Sequence, residues 1–381
     1  MPNKGVVILD TIIGTASAKY AVKEGESCMV KLFQRSCLIL LGLVGLQFSK
    51  LACAAIDPSA IDNSFVILQY HHVDETTPDV TSLSNEKFIQ HLQLIEKLGF
   101  TVVDLAEAID SVRTGKALPD KSVAITFDDG YKNIAVQALP ELQKRGWPAT
   151  IFVNPGLLTK SPSFYLTWDE LKYWSKHKMT IANHGWEHDY WVRNDAATNQ
   201  SWQQKIKQSI TKTELAIEQH IGYSKKLVAY PYGEYDTWIQ DWLKAQKLVT
   251  FGQQSGAVAQ FSDFTALPRF PASGIYADEK TLTTKLLTKA LPVDYNLLPS
   301  PIVQPNSNPP SLQLKLLTAP VNPLNCFIGG KAEMDLQKLS ATEYKISAKQ
   351  KLEKGRSRYN CTMQTKQNGR FYWLSQPWVI D

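Results

Sequence analysis

Cysteine is scarce in this 381-residue sequence: there are five, and Cys28, Cys37 and Cys53 all lie before residue 55. No two have C-x-x-C spacing, which excludes a zinc ribbon or a thioredoxin-like redox site. The HExxH signature of a zincin protease is missing, and none of the seven histidines lies beyond His220. An excess of one charge is lacking as well. There are 41 basic and 36 acidic residues, and residues 1–54 carry six of the former against three of the latter, so the rest of the chain is close to balance. That leaves no electrostatic footprint for nucleic acid. No apolar run reaches the roughly 20 residues needed to cross a bilayer.

The N-terminal run that does exist is short. Lys31 and Arg35 precede 13 mostly apolar residues, Cys37 to Ser49, and Ala52-Cys53-Ala54 follows. A basic end, a brief apolar core and a small-residue site make a signal peptide over 29–54, with 1–28 an extension and Met29 a candidate initiator. The expected location is therefore outside the cytoplasm, periplasmic or secreted. Cys326 and Cys361 are the two cysteines that remain, an even pair in a compartment that permits disulfides.

From 56 to 296, short apolar runs alternate with helical spacing. "FVILQYHHV" (65–73), "SVAITF" (122–127), "ATIFV" (149–153), "MTIANH" (179–184) and "KLVAYPYG" (226–233) read as strands. Between them, "NEKFIQHLQLIEKLGF", "NIAVQALPELQKRG", "TWDELKYWSKH" and "WQQKIKQSITKTELAIEQHIG" read as helices, the third opening on a Thr167/Glu170 capping box. This repetition predicts an α/β fold on a parallel sheet, open or closed into a barrel. Five prolines in 297–311 predict a linker. The final 312–381 alternates around Asn368-Gly369 and predicts a small all-β module with a hairpin.

The chemistry-bearing residues fall at strand ends, where parallel α/β sheets gather their sites. Asp128 and Asp129 close one strand; His184 closes another with His188 four residues on; "YPYG" closes a third and His71 the first. An aspartate pair alone is commonly a solvated turn, and H-x-x-x-H alone is commonly two unrelated histidines. Together they suit a metal held by two imidazoles and one carboxylate, with positions left for water and substrate. One aspartate would be neutralised by the ion and the other would stay ionised as a base.

These residues resemble the polysaccharide deacetylases of carbohydrate esterase family four, which carry the NodB homology domain. "TFDDG" matches the first motif of that family. "HGWEH" matches the second, H-[ST]-x-x-H, with Gly185 in place of Ser or Thr, and "YPYG" matches the end of the third, R-x-P-[YW]. "YHHVDETTPDVTSLSNEKFIQHL" is similar to the branch acting on poly-β-1,6-N-acetylglucosamine, and the likeness runs over about 64–275. The resemblance implies a distorted (β/α) barrel and hydrolysis of acetamido groups on an N-acetylated polysaccharide, with acetate released. It implies a divalent metal, zinc first with cobalt, nickel or iron as alternatives, on Asp129, His184 and His188. Asp128 would be the base, and Pro231 and Tyr232 would wall the groove, with the Tyr232 N–H helping to hold an oxyanion. Two departures stand out. Ala229 occupies the place of the arginine that orients the base, and the late histidine that serves as general acid is absent. His71 is the candidate acid, with His72 its competitor, because a two-residue strand period leaves open which one faces the site.

Two other readings share these residues: a different metal enzyme on the same triad, and a glycan-binding protein with a decayed site. The aromatic residues Phe371, Tyr372, Trp373 and Trp378 leave room for contact between the C-terminal module and a cell-envelope glycan, although such residues commonly form the core. A Cys326–Cys361 disulfide is expected to fasten a loop to the hairpin, away from the metal.

Overall fold

The computed structural model describes residues 61–192, 196–329 and 333–380. They fall within one compact unit, 56–381. The signal peptide and extension read at 1–54 lie outside the described residues.

The first layer is a nine-stranded sheet. Its elements begin with β1 (Ser64–Tyr70), followed by β2 (His72–Val73) and β3 (Ser82–Leu83), which pair with each other beside it. Next come β4 (Thr101–Val102), β5 (Ser122–Phe127), β6 (Ala149–Val153), β7 (Met179–Asn183), β8 (Leu227–Ala229), β9 (Val249–Phe251), β10 (Ala257–Ala259) and β11 (Phe270–Pro271). The order is β10-β1-β5-β6-β7-β8-β9, with β4 on β5 and β11 on β1, and every pairing is parallel except β1 with β10. β5, β6 and β7 are buried along their whole length. That explains why they read as unbroken apolar runs, since a parallel strand is covered on both faces. The curved sheet and its helices make a distorted α/β barrel.

Helix ends follow local chemistry. Ser84 caps Asn85–Lys97, and Thr167 with Glu170 forms the full capping box of Trp168–Ser175. The helix expected over 133–146 is instead two, Lys132–Gln137 and Leu139–Arg145, meeting at Ala138. Pro140 has no N–H to give and its ring crowds the carbonyl four residues back, so the first helix cannot run through it.

The second layer is all β. β12 (Lys289–Ala290) and β13 (Ile302–Val303) lie parallel to β19 (Phe371–Ile380), which pairs with β18 (Gly355–Gln364), and β18 pairs with β15 (Asn325–Ile328). A three-stranded sheet of β14 (Ser311–Lys315), β17 (Glu343–Ala348) and β16 (Met334–Lys338) faces it. Leu312, Ile346, Tyr359, Cys361 and Trp378 pack between the two sheets, and Leu291 and Val293 join them from the barrel side. The 297–311 stretch, expected to be a linker, is therefore built into this layer: Val303 is buried and Ile302 and Val303 pair with Val379 and Ile380. Prolines exclude a helix or a central strand, but an edge strand tolerates them. The hairpin about Asn368-Gly369 is present as β18 and β19. Cys326 and Cys361 are bonded and sit directly opposite each other on β15 and β18, so the bridge joins two strands rather than a loop and a strand.

Candidate active site

Asp128 and Asp129 leave the end of β5 in different directions. Asp129 adopts φ 69° and Gly130 φ 70°, a left-handed turn that aspartate and glycine tolerate. This turn sends the two side chains to different partners. The Asp129 carboxylate lies 3.4 Å from His184 Nε2 and 3.5 Å from His188 Nε2. One ligand atom from each of the three falls within 4.8 Å of the others. His184 donates Nδ1–H to the Ala229 carbonyl at 2.9 Å, which leaves Nε2 as the lone-pair nitrogen. That Nε2 is buried with no hydrogen-bond partner. An orphaned imidazole nitrogen, aimed at a carboxylate and a second imidazole, is what a metal ligand set requires. Burial lowers His184 to about 3 and also lowers His188, so both rings are neutral and able to ligate. Burial raises Asp129 to about 6, reinforced by the charge on Asp128. A cation would relieve both effects. The Tyr131 hydroxyl hydrogen-bonds Asp129, a contact that the sequence reading did not single out.

Gly185, the departure in the second motif, has φ 77°, and a Cβ there would meet Trp191 Cζ2 at 3.0 Å. A Ser or Thr there would have to hold a left-handed backbone and push the packed Trp191 ring aside.

Asp128 belongs to another network. Arg269 Nη1 donates to Oδ1 at 2.6 Å and Nη2 to Oδ2 at 2.8 Å, and Gln69 Nε2 donates to Oδ2 at 2.6 Å. Burial alone would raise this carboxyl, but the guanidinium beside it holds it well below the usual carboxylate range. Arg269 is fully buried and also donates Nε–H to the Gly252 carbonyl. It therefore gives Asp128 the arginine partner that Ala229 does not, from 40 positions further along the chain. The signal for it in the sequence was a single charge inside the apolar run "TALPRFPA".

The strand phase separates the histidine pair. His71 Nε2 lies 3.8 Å from Asp128 Oδ2, and the ring borders the cleft. His72 points the other way, stacked on Tyr131 at 3.7 Å with Nδ1 against Asn133, and burial lowers it to about 4. His91 is buried between Tyr70 and the Ala277 carbonyl. Pro231 and Tyr232 follow β8 in a 3₁₀ turn, Pro231–Gly233. The Tyr232 ring lies edge-on to His188 at 4.4 Å and is stacked on Tyr190 at 3.8 Å.

The cleft over these residues has a volume of about 750 Å³. Its opposite wall is the C-terminal layer, through Arg356, Arg358 and Trp378. The β module borders the same cleft as the triad, through residues of β18 and β19. Phe371, Tyr372 and Trp373 are not among the cleft-lining residues, and Trp373 packs against the barrel core.

The fold and site define an α/β barrel protein with an Asp-His-His triad that could hold a divalent metal at the carboxyl rim, and an arginine-held aspartate beside it. Residues 115–250 match the family described as Polysaccharide deacetylase. The poly-beta-1,6-N-acetyl-D-glucosamine N-deacetylase of Escherichia coli strain K12 is 21% identical over 244 residues, 54% of this chain and 36% of that protein. The putative polysaccharide deacetylase YxkH of Bacillus subtilis strain 168 is 26% identical over 196 residues, 51% of this chain and 64% of that protein. The match thus spans less than two thirds of either relative. The Streptococcus pyogenes deacetylase PplD, solved in complex with acetate, superposes with a TM-score of 0.52 at 19% identity, covering 58% of this chain and 98% of that one. IcaB from Ammonifex degensii superposes with a TM-score of 0.51 at 21% identity, covering 57% and 96%. These two likenesses are of fold. Over residues 115–250 this chain is thus similar to the polysaccharide deacetylases.

Proposed function

We propose that the protein is a metal-dependent N-deacetylase that hydrolyses acetamido groups of an N-acetylglucosamine-containing polysaccharide and releases acetate. The observation that carries this reading is the division between two neighbouring aspartates: Asp129 turned to His184 and His188, Asp128 turned to Arg269 and His71. A decayed site would have no reason to keep both networks, and a metal enzyme using the triad alone would have no task for Asp128.

Asp129, His184 and His188 would hold the ion, zinc foremost. When bound, the ion supplies Lewis acidity toward the acetamide carbonyl and the attacking water. Arg269 and Gln69 keep Asp128 ionised and oriented, so that its carboxylate can take the proton of that water. The Tyr232 N–H serves the oxygen on which charge develops, and Pro231 shapes the wall beside it. His71, partly open to solvent, gives a proton to the departing amine. The bridged cysteine pair suits an exported protein working on an envelope or secreted glycan.

The test is acetate release from N-acetylglucosamine oligomers, with and without chelator, alongside metal analysis. Activity is expected that chelator removes and zinc restores. Asp129→Ala, His184→Ala and His188→Ala should each lose metal and activity, whereas Asp128→Asn should keep metal and lose activity. No acetate from metal-loaded protein, or release indifferent to chelator, would overturn the reading.

A further inference from the structure

We propose that Arg356, on β18 of the C-terminal layer, is a positioning residue of the deacetylase site, holding the Tyr232 turn against the metal ligand His188. The reaction it serves is the one proposed above, and its own placement is argued from contacts alone.

Tyr232 is strained. Its backbone sits at φ 60° and ψ 1°, where a residue bearing a Cβ persists only if its surroundings hold it. Arg356 Nη1 donates to the Tyr232 carbonyl at 2.7 Å, and the guanidinium carbon lies 5.9 Å from the centre of the Tyr232 ring. Its Nε lies 3.9 Å from Glu234 Oε1, on the other side of the same turn. One cationic side chain therefore spans the turn from Tyr232 to Glu234. The Arg356 side chain is 53% exposed, so these polar contacts, rather than burial, place it. The strand that presents it is anchored: Arg358, two residues on and on the same face, donates Nη2 to the Tyr276 hydroxyl at 2.8 Å.

What Tyr232 touches gives the contact its consequence. Its ring edge packs on His188, which itself adopts φ 58°. Its N–H belongs to the peptide just ahead of the held carbonyl. Fixing that carbonyl fixes the Tyr232 backbone, and with it both the donor and the ring that positions His188. The β module is thus part of the catalytic apparatus.

The test uses the full chain. Arg356→Ala should lower kcat about 10–100-fold with KM within about threefold, as expected when placement and not binding is lost. It should weaken zinc affinity roughly 3–10-fold, the lower part of the range for residues that orient ligands. Arg356→Lys should retain most of kcat, and added ethylguanidinium should restore part of the rate of the half-exposed Arg356→Ala site. Tyr232→Ala should weaken zinc binding by a similar factor, and the double variant no further. Should Arg356→Ala not fold, Arg356→Gln carries the same expectations. An unchanged kcat, or zinc losses that add in the double variant, would overturn the proposal. If the parent protein binds zinc but releases no acetate, the deacetylase reading falls and the zinc cycle alone decides Arg356: non-additive losses support it, additive losses refute it.

Discussion

Asp128 and Asp129 are chain neighbours with opposite fates, and the difference lies in partners 55 to 141 positions away. The most informative residue is Arg269, fully buried against the fully buried Asp128. Breaking a buried pair leaves an uncompensated charge, so Arg269→Met should cost about 3–5 kcal/mol and remove activity. Arg269→Met combined with Asp128→Leu should cost clearly less than Arg269→Met alone, since neither charge is then stranded. Chemical denaturation of the three variants checks this, and a single-variant loss under about 1 kcal/mol would show that the pair is not what holds the region. The histidines make a second contrast at this scale. His71→Ala should lower kcat about 10²–10⁴-fold without changing metal content, and His72→Ala should leave kcat nearly as it was. The reverse pattern in steady-state kinetics would move the acid role to His72.

At the level of elements, short local rules and long-range pairings divide the work. The Thr167 box and the Pro140 break are written within a few residues of sequence. The β15–β18 bond depends on strands brought into register from 35 positions apart. A bridge over that separation restricts the unfolded chain, which the chain-entropy account values at roughly 3–4 kcal/mol. Cys326→Ala with Cys361→Ala should lower stability by that order, and thiol titration of the unfolded oxidised protein should find neither cysteine free. Because β18 also carries Arg356, loosening it should reduce acetate release as well. Unchanged stability on reduction, or two free thiols, would contradict this account.

For the molecule as a whole, the two layers meet through charges that are unusual in a packed joint. Lys285 is 5% exposed, donates to the Pro271 carbonyl at 2.6 Å and lies 4.6 Å from the centre of the Tyr276 ring, the same tyrosine that Arg358 binds. Burial lowers its pKa from 10.5 to about 7, and the Arg358 charge adds to the shift. Between those values the unfolded chain binds more protons than the folded one, so this group makes stability rise with pH across the window. Lys285→Met removes that dependence. The melting temperature of the parent protein should therefore gain on that of the variant from roughly pH 7 to pH 10. A difference that stays constant, or narrows, would mean that the lysine titrates normally in the joint.

The barrel strands were legible because strands covered on both faces are written as continuous apolar runs. The triad and Asp128 were legible because Asp128, Asp129 and His184 follow directly on such runs, with His188 four residues on. The hairpin announced itself through Asn368-Gly369. The strand period could not rank His71 over His72, since a strand's phase is set by which face its neighbours bury. Sequence could not find Arg269 or Arg356 either, because a hydrogen bond between residues more than 100 positions apart leaves no periodicity or spacing in the chain. Nor could it seat 297–311, where prolines permit both a free linker and an edge strand. The sequence by itself determined the main barrel strands, the C-terminal hairpin and the candidate ligands Asp129, His184 and His188. Tertiary packing alone decided which carboxylate is held by an arginine, which histidine faces the cleft, and that the β module forms the wall opposite the triad, because each of these depends on contacts that exist only once distant segments share a core.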